Sequence, residues 1–321
     1  MIPANNLDEI ASANHLTEKE KHHFKNYHAK VEKWRKSHYL LYPQQVHIET
    51  QAVCNAKCTF CPHTRMKRTG TRMSDELIAK VIDDLCEIPS SVPFNVCPFK
   101  ISDPLLDNRL YDIIGMVEEK LPSASVWLAT NGAGLTESSI LKLAAAKRPL
   151  DLTISLNDHR REVYEEEMGI PFERTVTNLR VLYKKMVSGQ FPHRVAIGRV
   201  SGKREDDHAF IQWVKAQFPA FKVMIKPAGN WAGEVTSRTH SQVLPIGCTS
   251  WFQVSITATG DTALCCMDGF GEVNLGNVKF MSVLDIYNSS THRKYREGAM
   301  TRRDVAPCSR CTHPETCGET V

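Results

Sequence analysis

The sequence predicts an α/β protein: a parallel sheet, open or curled into a barrel, followed by a smaller β-hairpin and helical part. Two observations predict it. Strand-like and helix-like segments alternate about six times between residues 45 and 230 without long gaps, which is the pattern of β/α units. After residue 235 the alternation stops, and "WFQVSITATGDTALCCMDG" reads as two alternating apolar strands around the turn "ATGD".

The elements follow in order. The segment up to about residue 37 is rich in charge and reads as a helix. "QQVHIET" (44–50) alternates as a strand does. "SDELIAKVIDDLCEI" (74–88) puts Leu77, Ile78, Val81, Ile82 and Leu85 on one helical face, with Ser74 as its cap. A strand at 94–99 and a helix at 107–120 come next. Strand 124–130, helix 137–146, strand 150–156 and helix 172–187 continue the series, and strand 193–200, helix 206–218 and strand 221–227 complete it. Two short helices at about 282–297 precede a cysteine-rich tail. Three units result: an N-terminal helical segment (1–43), the β/α part (44–235) and a C-terminal part (236–321). The polar, unpatterned "WAGEVTSRTHSQ" lies at their join.

Composition excludes several classes. At 42% hydrophobic and 24% charged, the 321 residues are ordinary for a globular chain. Forty Lys and Arg against thirty-six Asp and Glu leave +4, too little to argue for a nucleic-acid partner. No run approaches the ~18 apolar residues of a membrane span. The first forty residues lack the apolar core of a signal peptide, so a cytoplasmic protein without a membrane partner is expected. "HTRMKRTGTR" carries Arg65, Lys67, Arg68 and Arg72 with no acid. It is either a solvated loop or an electropositive rim for an anionic substrate.

Eleven cysteines in a reducing compartment point to metal or redox chemistry. Cys86 and Cys97 read as isolated buried thiols. Cys54, Cys58 and Cys61, spaced C-x3-C-x2-C, follow the first strand, at the end of the sheet where loops converge and active groups lie. Three thiolates on a 4Fe–4S cube leave one iron without a protein ligand. An open position is what a catalytic metal needs. A zinc knuckle is the plainer alternative.

"CNAKCTFC" after a first strand resembles the signature of the radical S-adenosylmethionine superfamily, with Phe60 at the aromatic position before the third cysteine. The resemblance implies a partial (β/α)6 TIM-like barrel, with a small hairpin-plus-helix auxiliary-cluster domain after it. It also implies an open iron that chelates the methionine end of S-adenosylmethionine, with electrons from a reductant such as flavodoxin or ferredoxin. The cofactor's C–S bond is then cleaved, and the deoxyadenosyl radical removes a hydrogen atom from a small-molecule substrate. "KISDPLLD" stands where many members have "GGEP", with Ser102, Asp103 and Pro104 at its last three positions and Asp in place of Glu. "LATNGAG" resembles the "TNG" loop (Thr130, Asn131, Gly132), and "ISLND" the "SLDG" segment (Ser155, Asn157). Arg199 in "AIGRVSG" ends the fifth strand toward the same rim.

Cys248, Gly260 and Cys265, then Cys308, Cys311 and Cys317 as C-x2-C-x5-C, resemble the SPASM/twitch extension, as do "LGNVKFMSVLDIYNS" and "KYREG". The further cysteines of a full extension do not follow. The simplest count is therefore one auxiliary 4Fe–4S cluster on Cys248, Cys265, Cys308 and Cys311. Two incompletely ligated clusters, or a zinc in the tail, are the alternatives, and Cys317 is a further candidate ligand. Cys266 beside a ligand is either a surrogate ligand, an inert thiol, or a hydrogen-atom donor, as in sugar epimerases of the superfamily. Asp268 next to it either assists or shapes a turn. The resemblance thus implies oxidation or epimerisation of a small carbohydrate-like or nucleotide-linked metabolite. The roughly forty-four residues before the first strand are too few for a leader-binding domain. Peptide modification is the second reading, and a non-enzymatic iron–sulfur or zinc protein the third.

Overall fold

The computed structural model describes residues 17–235, 243, 245–312 and 319–320. Helix α1 (Glu18–Arg35) leads into β1 (Gln45–Ile48). Then come α2 (Asp75–Asp84), β2 (Phe94–Cys97), α3 (Leu110–Lys120), β3 (Ala124–Thr130), α4 (Glu137–Ala144) and β4 (Asp151–Ser155). Two helices, α5 (Arg161–Met168) and α6 (Phe172–Val187), separate β4 from β5 (Arg194–Val200). Helix α7 (Arg204–Gln217) and β6 (Lys222–Lys226) end the series. The C-terminal part adds β7 (Gln253–Ile256), β8 (Asp261–Ala263), β9 (Asn274–Asn277), α8 (Val283–Asn288), α9 (Ser290–Glu297) and β10 (Glu319–Thr320).

All the strands form one sheet, in the order β10-β6-β5-β4-β3-β2-β1-β7-β8-β9. Strands β1 to β6 are parallel, each beside the next. Strand β7 then pairs with the other edge of β1, also in parallel, so that Val46 lies opposite both Val96 and Val254. The predicted hairpin is present as antiparallel β7 and β8, with β9 added beyond it. The sheet does not close. It curls, and two side chains prove the curl. Neighbouring strands stand ~4.8 Å apart, yet Lys226 Nζ on β6 lies 5.6 Å from the ring of Trp127, three strands away on β3. His47 on β1 meets the same ring at 6.4 Å.

Strand alternation sorts the residues between two faces. Val46, Ile48, Val96, Leu128, Leu152, Ile154, Val195, Ile197 and Val223 are buried in the core under the helices. Gln45, His47, Cys97, Trp127, Thr153 and Lys226 sit at the alternate positions and make the concave inner face polar. On α2, all five predicted apolar positions are buried, and the Ser74 hydroxyl accepts from Leu77 N at 3.2 Å. Cys86 departs from its expectation. It is exposed, because α2 gives way to a 3-10 turn at Leu85–Glu87 that rotates position 86 off the apolar stripe. Cys97 is buried as expected.

Helix α1 is charged on one side only. Phe24, Tyr27 and Val31 are buried, and Trp34 meets Phe252 edge to face at 5.6 Å. A Cβ at Gly247 would lie 2.9 Å from Val31, so this close approach requires glycine. The basic loop is tied down rather than free. Arg68 pairs with fully buried Glu49, Nε to Oε2 at 2.6 Å and Nη2 to Oε1 at 3.0 Å. Glu49 also accepts from Ala258 N at 3.0 Å, which joins the β/α part to the hairpin. Arg65 donates to the Glu234 carbonyl. Arg72 donates to Asn108 Oδ1 at 3.4 Å, so three of the four cations of the expected electropositive rim make structural bonds and one of them, Arg68, is neutralised.

Candidate active site

The loop after β1 carries Cys54, Cys58 and Cys61, and backbone bonds hold its shape. Ala52 N donates to Thr71 O (2.8 Å), while Lys57 N and Thr59 N donate to Met168 O and Glu167 O (each 2.9 Å). Gly169, at φ +66, ends α5 in the left-handed region that glycine tolerates. A Cβ there would press on Lys57 at 3.2 Å. Burial pushes the Cys54 thiol up to about 11, with Asp103 and Cys61 adding to the shift. Cys58 is pushed further, by burial and then by Cys61 and Cys54. Cys61 moves the same way, again by burial. Three shielded thiols that resist ionisation are relieved by a cation that binds the thiolates as their protons leave to solvent. This donor set fits a cluster.

The predicted cofactor residues fall into two networks around that loop. In the first, the Asp103 carboxylate accepts from Thr130 Oγ1 (2.9 and 3.0 Å), Asn131 N (2.8 Å) and Leu105 N (3.1 Å). Burial raises its pKa against the pull of these bonds. Asp103 therefore locks the second and third strand loops together. Asn131 Nδ2 then donates to Asn55 Oδ1 at 2.7 Å and lies 3.9 Å from Cys54 Sγ. Ser102 is half-buried beside Asp103.

The second network centres on Asn157, at φ +61. Its amide lies 3.0 Å from Met168 Sδ, and its Oδ1 accepts from Val200 N at 3.0 Å. Met168 Sδ in turn lies 3.5 Å from Cys58 Sγ. Arg199 is buried. Its guanidinium holds the Asn157 carbonyl, Asp158 Oδ2 at 2.7 Å and Asp207 Oδ1 at 2.8 Å. It shapes the rim through Asn157. Ser155 is half-buried at the end of β4, and the Phe60 carbonyl accepts from Trp231 Nε1 at 2.7 Å.

Below the rim, the polar groups of β1 and β2 bond to one another, whereas Gln253 Oε1 and Ser255 Oγ beside them on β7 have no hydrogen-bond partner among the described residues. Gln45 Nε2 reaches His47 Nε2 (2.8 Å) and Cys97 Sγ (3.1 Å), while His47 Nδ1 lies 3.2 Å from the Phe99 carbonyl. Burial pulls His47 down to about 4, so the imidazole is neutral at pH 7. Trp127 Nε1 donates to Thr153 Oγ1 at 3.1 Å. Cys266 acts electrostatically on Cys97 and Lys226 of this belt, and on its neighbour Cys265. The Asp268 carboxylate is committed to Glu272 N (2.9 Å) and Val273 N (3.2 Å), which makes it a turn residue.

On the other side of the chain, burial pushes the Cys265 thiol far up, and Cys266, Cys308, Cys248 and Cys311 add to the shift. Burial would lower the Arg302 guanidinium, but Cys248, Cys311, Tyr27 and Cys308 hold it above its ordinary value. The Tyr27 hydroxyl of α1 donates to Cys248 Sγ at 3.4 Å. Four converging thiols with a buried cation among them also suit an anionic cluster. Cys317 lies outside the described residues.

The family model of the radical SAM superfamily matches residues 48–215. The chain belongs to the radical SAM superfamily. The model of SPASM, an iron–sulfur cluster-binding domain, matches residues 248–312 of this radical SAM enzyme. A 4Fe–4S cluster, S-adenosylmethionine and an auxiliary cluster are accordingly its cofactors. A curated relative from Niallia circulans, S-adenosyl-L-methionine-dependent 2-deoxy-scyllo-inosamine dehydrogenase, is 29% identical over 136 residues. The match takes in 41% of this chain and 53% of the relative, so the chain spans about half the relative's length. Among solved structures, BtrN in complex with AdoMet and 2-DOIA superposes with TM-score 0.51 at 17% identity, over 84% of this chain and 92% of BtrN. The enzyme anSMEcpe with bound AdoMet gives 0.60 at 14%, over 79% of each chain. SuiB of Streptococcus suis bound to S-adenosylmethionine gives 0.58 at 13%, over 91% of this chain and 76% of SuiB. At these identities the likeness is one of fold. No helix among the described residues is long and apolar enough to cross a membrane.

Two parts of the site escape the sequence reading. One is α5, whose carbonyls pin the cysteine loop and whose Met168 touches Cys58. The run "MGIPF" was its signal: a glycine stop followed by a proline start. The other is the polar inner face, which shows itself as the alternate residues of β1, β2, β3 and β6.

Proposed function

We propose that this radical SAM enzyme removes a hydrogen atom from a carbon of a small carbohydrate-like metabolite on the inner face. Cys266 then returns one from the opposite side and inverts the carbon. The observation that carries this reading is the position of Cys266: it acts electrostatically on Cys265, which lies with the auxiliary thiols, and also on Cys97 and Lys226 of the inner face. When bound at Cys54, Cys58 and Cys61, the first cluster supplies the electron that cleaves S-adenosylmethionine. Asp103, Asn131, Asn157 and Met168 hold the surrounding loops, and the His47 imidazole beneath them is neutral. At Cys266 the S–H bond breaks as the new C–H bond forms. The thiyl left behind takes one electron and one proton from an external reductant of flavodoxin or ferredoxin class. The reduced thiols and the low-potential reductant suit the cytoplasm.

A second reading, oxidation, is favoured by the relative that is a 2-deoxy-scyllo-inosamine dehydrogenase. Turnover in heavy water separates the two. Inversion is expected to place one deuterium on the product carbon, and Cys266→Ala to abolish that product while deoxyadenosine release continues. A product two hydrogens lighter, unlabelled and indifferent to Cys266→Ala, would establish oxidation instead.

A further inference from the structure

Lys226 is the cation that the site as described does not use. It stands at the last position of β6, half-buried on the inner face, with its ammonium over Trp127 at 5.6 Å. Among the described residues it has no ion pair and its side chain has no hydrogen bond. Burial pulls the ammonium below its ordinary value, and the Cys266 thiol is the group that pulls it back. The neighbouring cations differ in this respect. Lys100 donates to the Asp268 carbonyl at 2.6 Å, and Arg199 is neutralised by Asp158 and Asp207. Of the other polar groups nearby, Gln45 and His47 serve one another, and the Thr153 hydroxyl accepts from Trp127 Nε1.

A partly shielded cation without a counter-charge is a ready partner for an anion that enters beside it. An indole face beside it offers an apolar wall against which the C–H face of a sugar ring can lie. We propose that Lys226 binds an anionic substituent, a carboxylate or a phosphate, on a sugar-like substrate whose ring lies against Trp127. This rests on the carbohydrate reading above and narrows it: the substrate is an acidic or phosphorylated sugar, and an amino sugar is rejected by like charge.

The test is calorimetric titration of the anaerobic holoenzyme with glucose, glucosamine, glucuronate, glucose 6-phosphate and inorganic phosphate, for wild type, Lys226→Met and Lys226→Arg. In wild type, glucuronate or glucose 6-phosphate is expected to bind at least about tenfold tighter than glucose, as a charge-assisted bond in a shielded site should give. Glucosamine should bind more weakly than glucose. Lys226→Met should erase these differences and Lys226→Arg restore them in part. Which of the two anions gains more tells carboxylate from phosphate. If no sugar binds but phosphate still distinguishes wild type from Lys226→Met, the anion site stands and the carbohydrate reading falls. If sugars bind without regard to charge, or no ligand distinguishes wild type from Lys226→Met, the proposal is overturned. It is also overturned if Lys226→Met loses auxiliary-cluster iron and absorbance while keeping the sugar preference, since the ammonium would then serve the cluster.

Discussion

Replacing Cys54, Cys58 and Cys61 together by alanine is expected to lower the iron of the anaerobically reconstituted protein from roughly eight to about four per chain. Release of 5′-deoxyadenosine should stop completely. The fold should survive, because the loop is held by main-chain bonds from Ala52, Lys57 and Thr59 rather than by its thiols. Circular dichroism of the triple variant should therefore match wild type. The remaining iron is expected on Cys248, Cys265, Cys308 and Cys311, the thiols that act on Arg302 or on one another. A wild type with about four irons, a variant with none, and zinc in the tail would refute this division of the cysteines. Iron, sulfide and zinc assays on the two proteins decide it.

Glu49→Ala should be the most destabilising single change outside the cysteines. The carboxylate is fully buried, paired at both oxygens with Arg68, and accepts the Ala258 amide as well. Removing one partner of such a pair leaves a shielded charge and an unmatched N–H, at a cost of about 3–5 kcal/mol. The urea midpoint of the apoprotein, followed by tryptophan fluorescence, should fall accordingly. Glu49→Gln should cost less, since the amide oxygen still accepts. A loss below ~1 kcal/mol would mean that the pair behaves like one on the surface, screened by water.

Much of the fold was legible because strands and helices here announce themselves by period. Strand 124–130 and helix 172–187 coincide with β3 and α6, and the apolar stripe of α2 is buried residue for residue. What the period could not supply was partnership. Nothing local in "QVSI" says that it lies parallel to "QVHI", some two hundred residues earlier. In α1 the spacing of Phe24, Tyr27, Val31 and Trp34 was visible among the charges, but a stripe says only that something covers it. The structure supplies the cover: the segment carrying Cys248, Trp251 and Phe252.

The candidate site divides in the same way. Cysteine spacing singled out the candidate metal-binding thiols, since coordination chemistry restricts spacing strongly. The roles of Asp103 and Arg199 were open, because a buried charge takes its meaning from the groups that neutralise it. Asp103 turns out to bind loops and Arg199 to serve as a pivot for Asp158 and Asp207. Lys226 carried no motif at all, and only the curl of the sheet brought it to Trp127.

The place of β1 between β2 and β7 has a consequence for how the chain assembles. Residue 45 faces residue 95 on one side and residue 253 on the other. During synthesis one flank of β1 is paired early, while the other remains an open edge until the hairpin has been made. Pairings so distant along the chain raise contact order and slow folding, and an open edge is where chains stick to one another. The two matched segments, 48–215 and 248–312, therefore do not mark two bodies that can be parted between them. A cut there would take from a central strand its neighbour, and from Glu49 the Ala258 amide that it accepts.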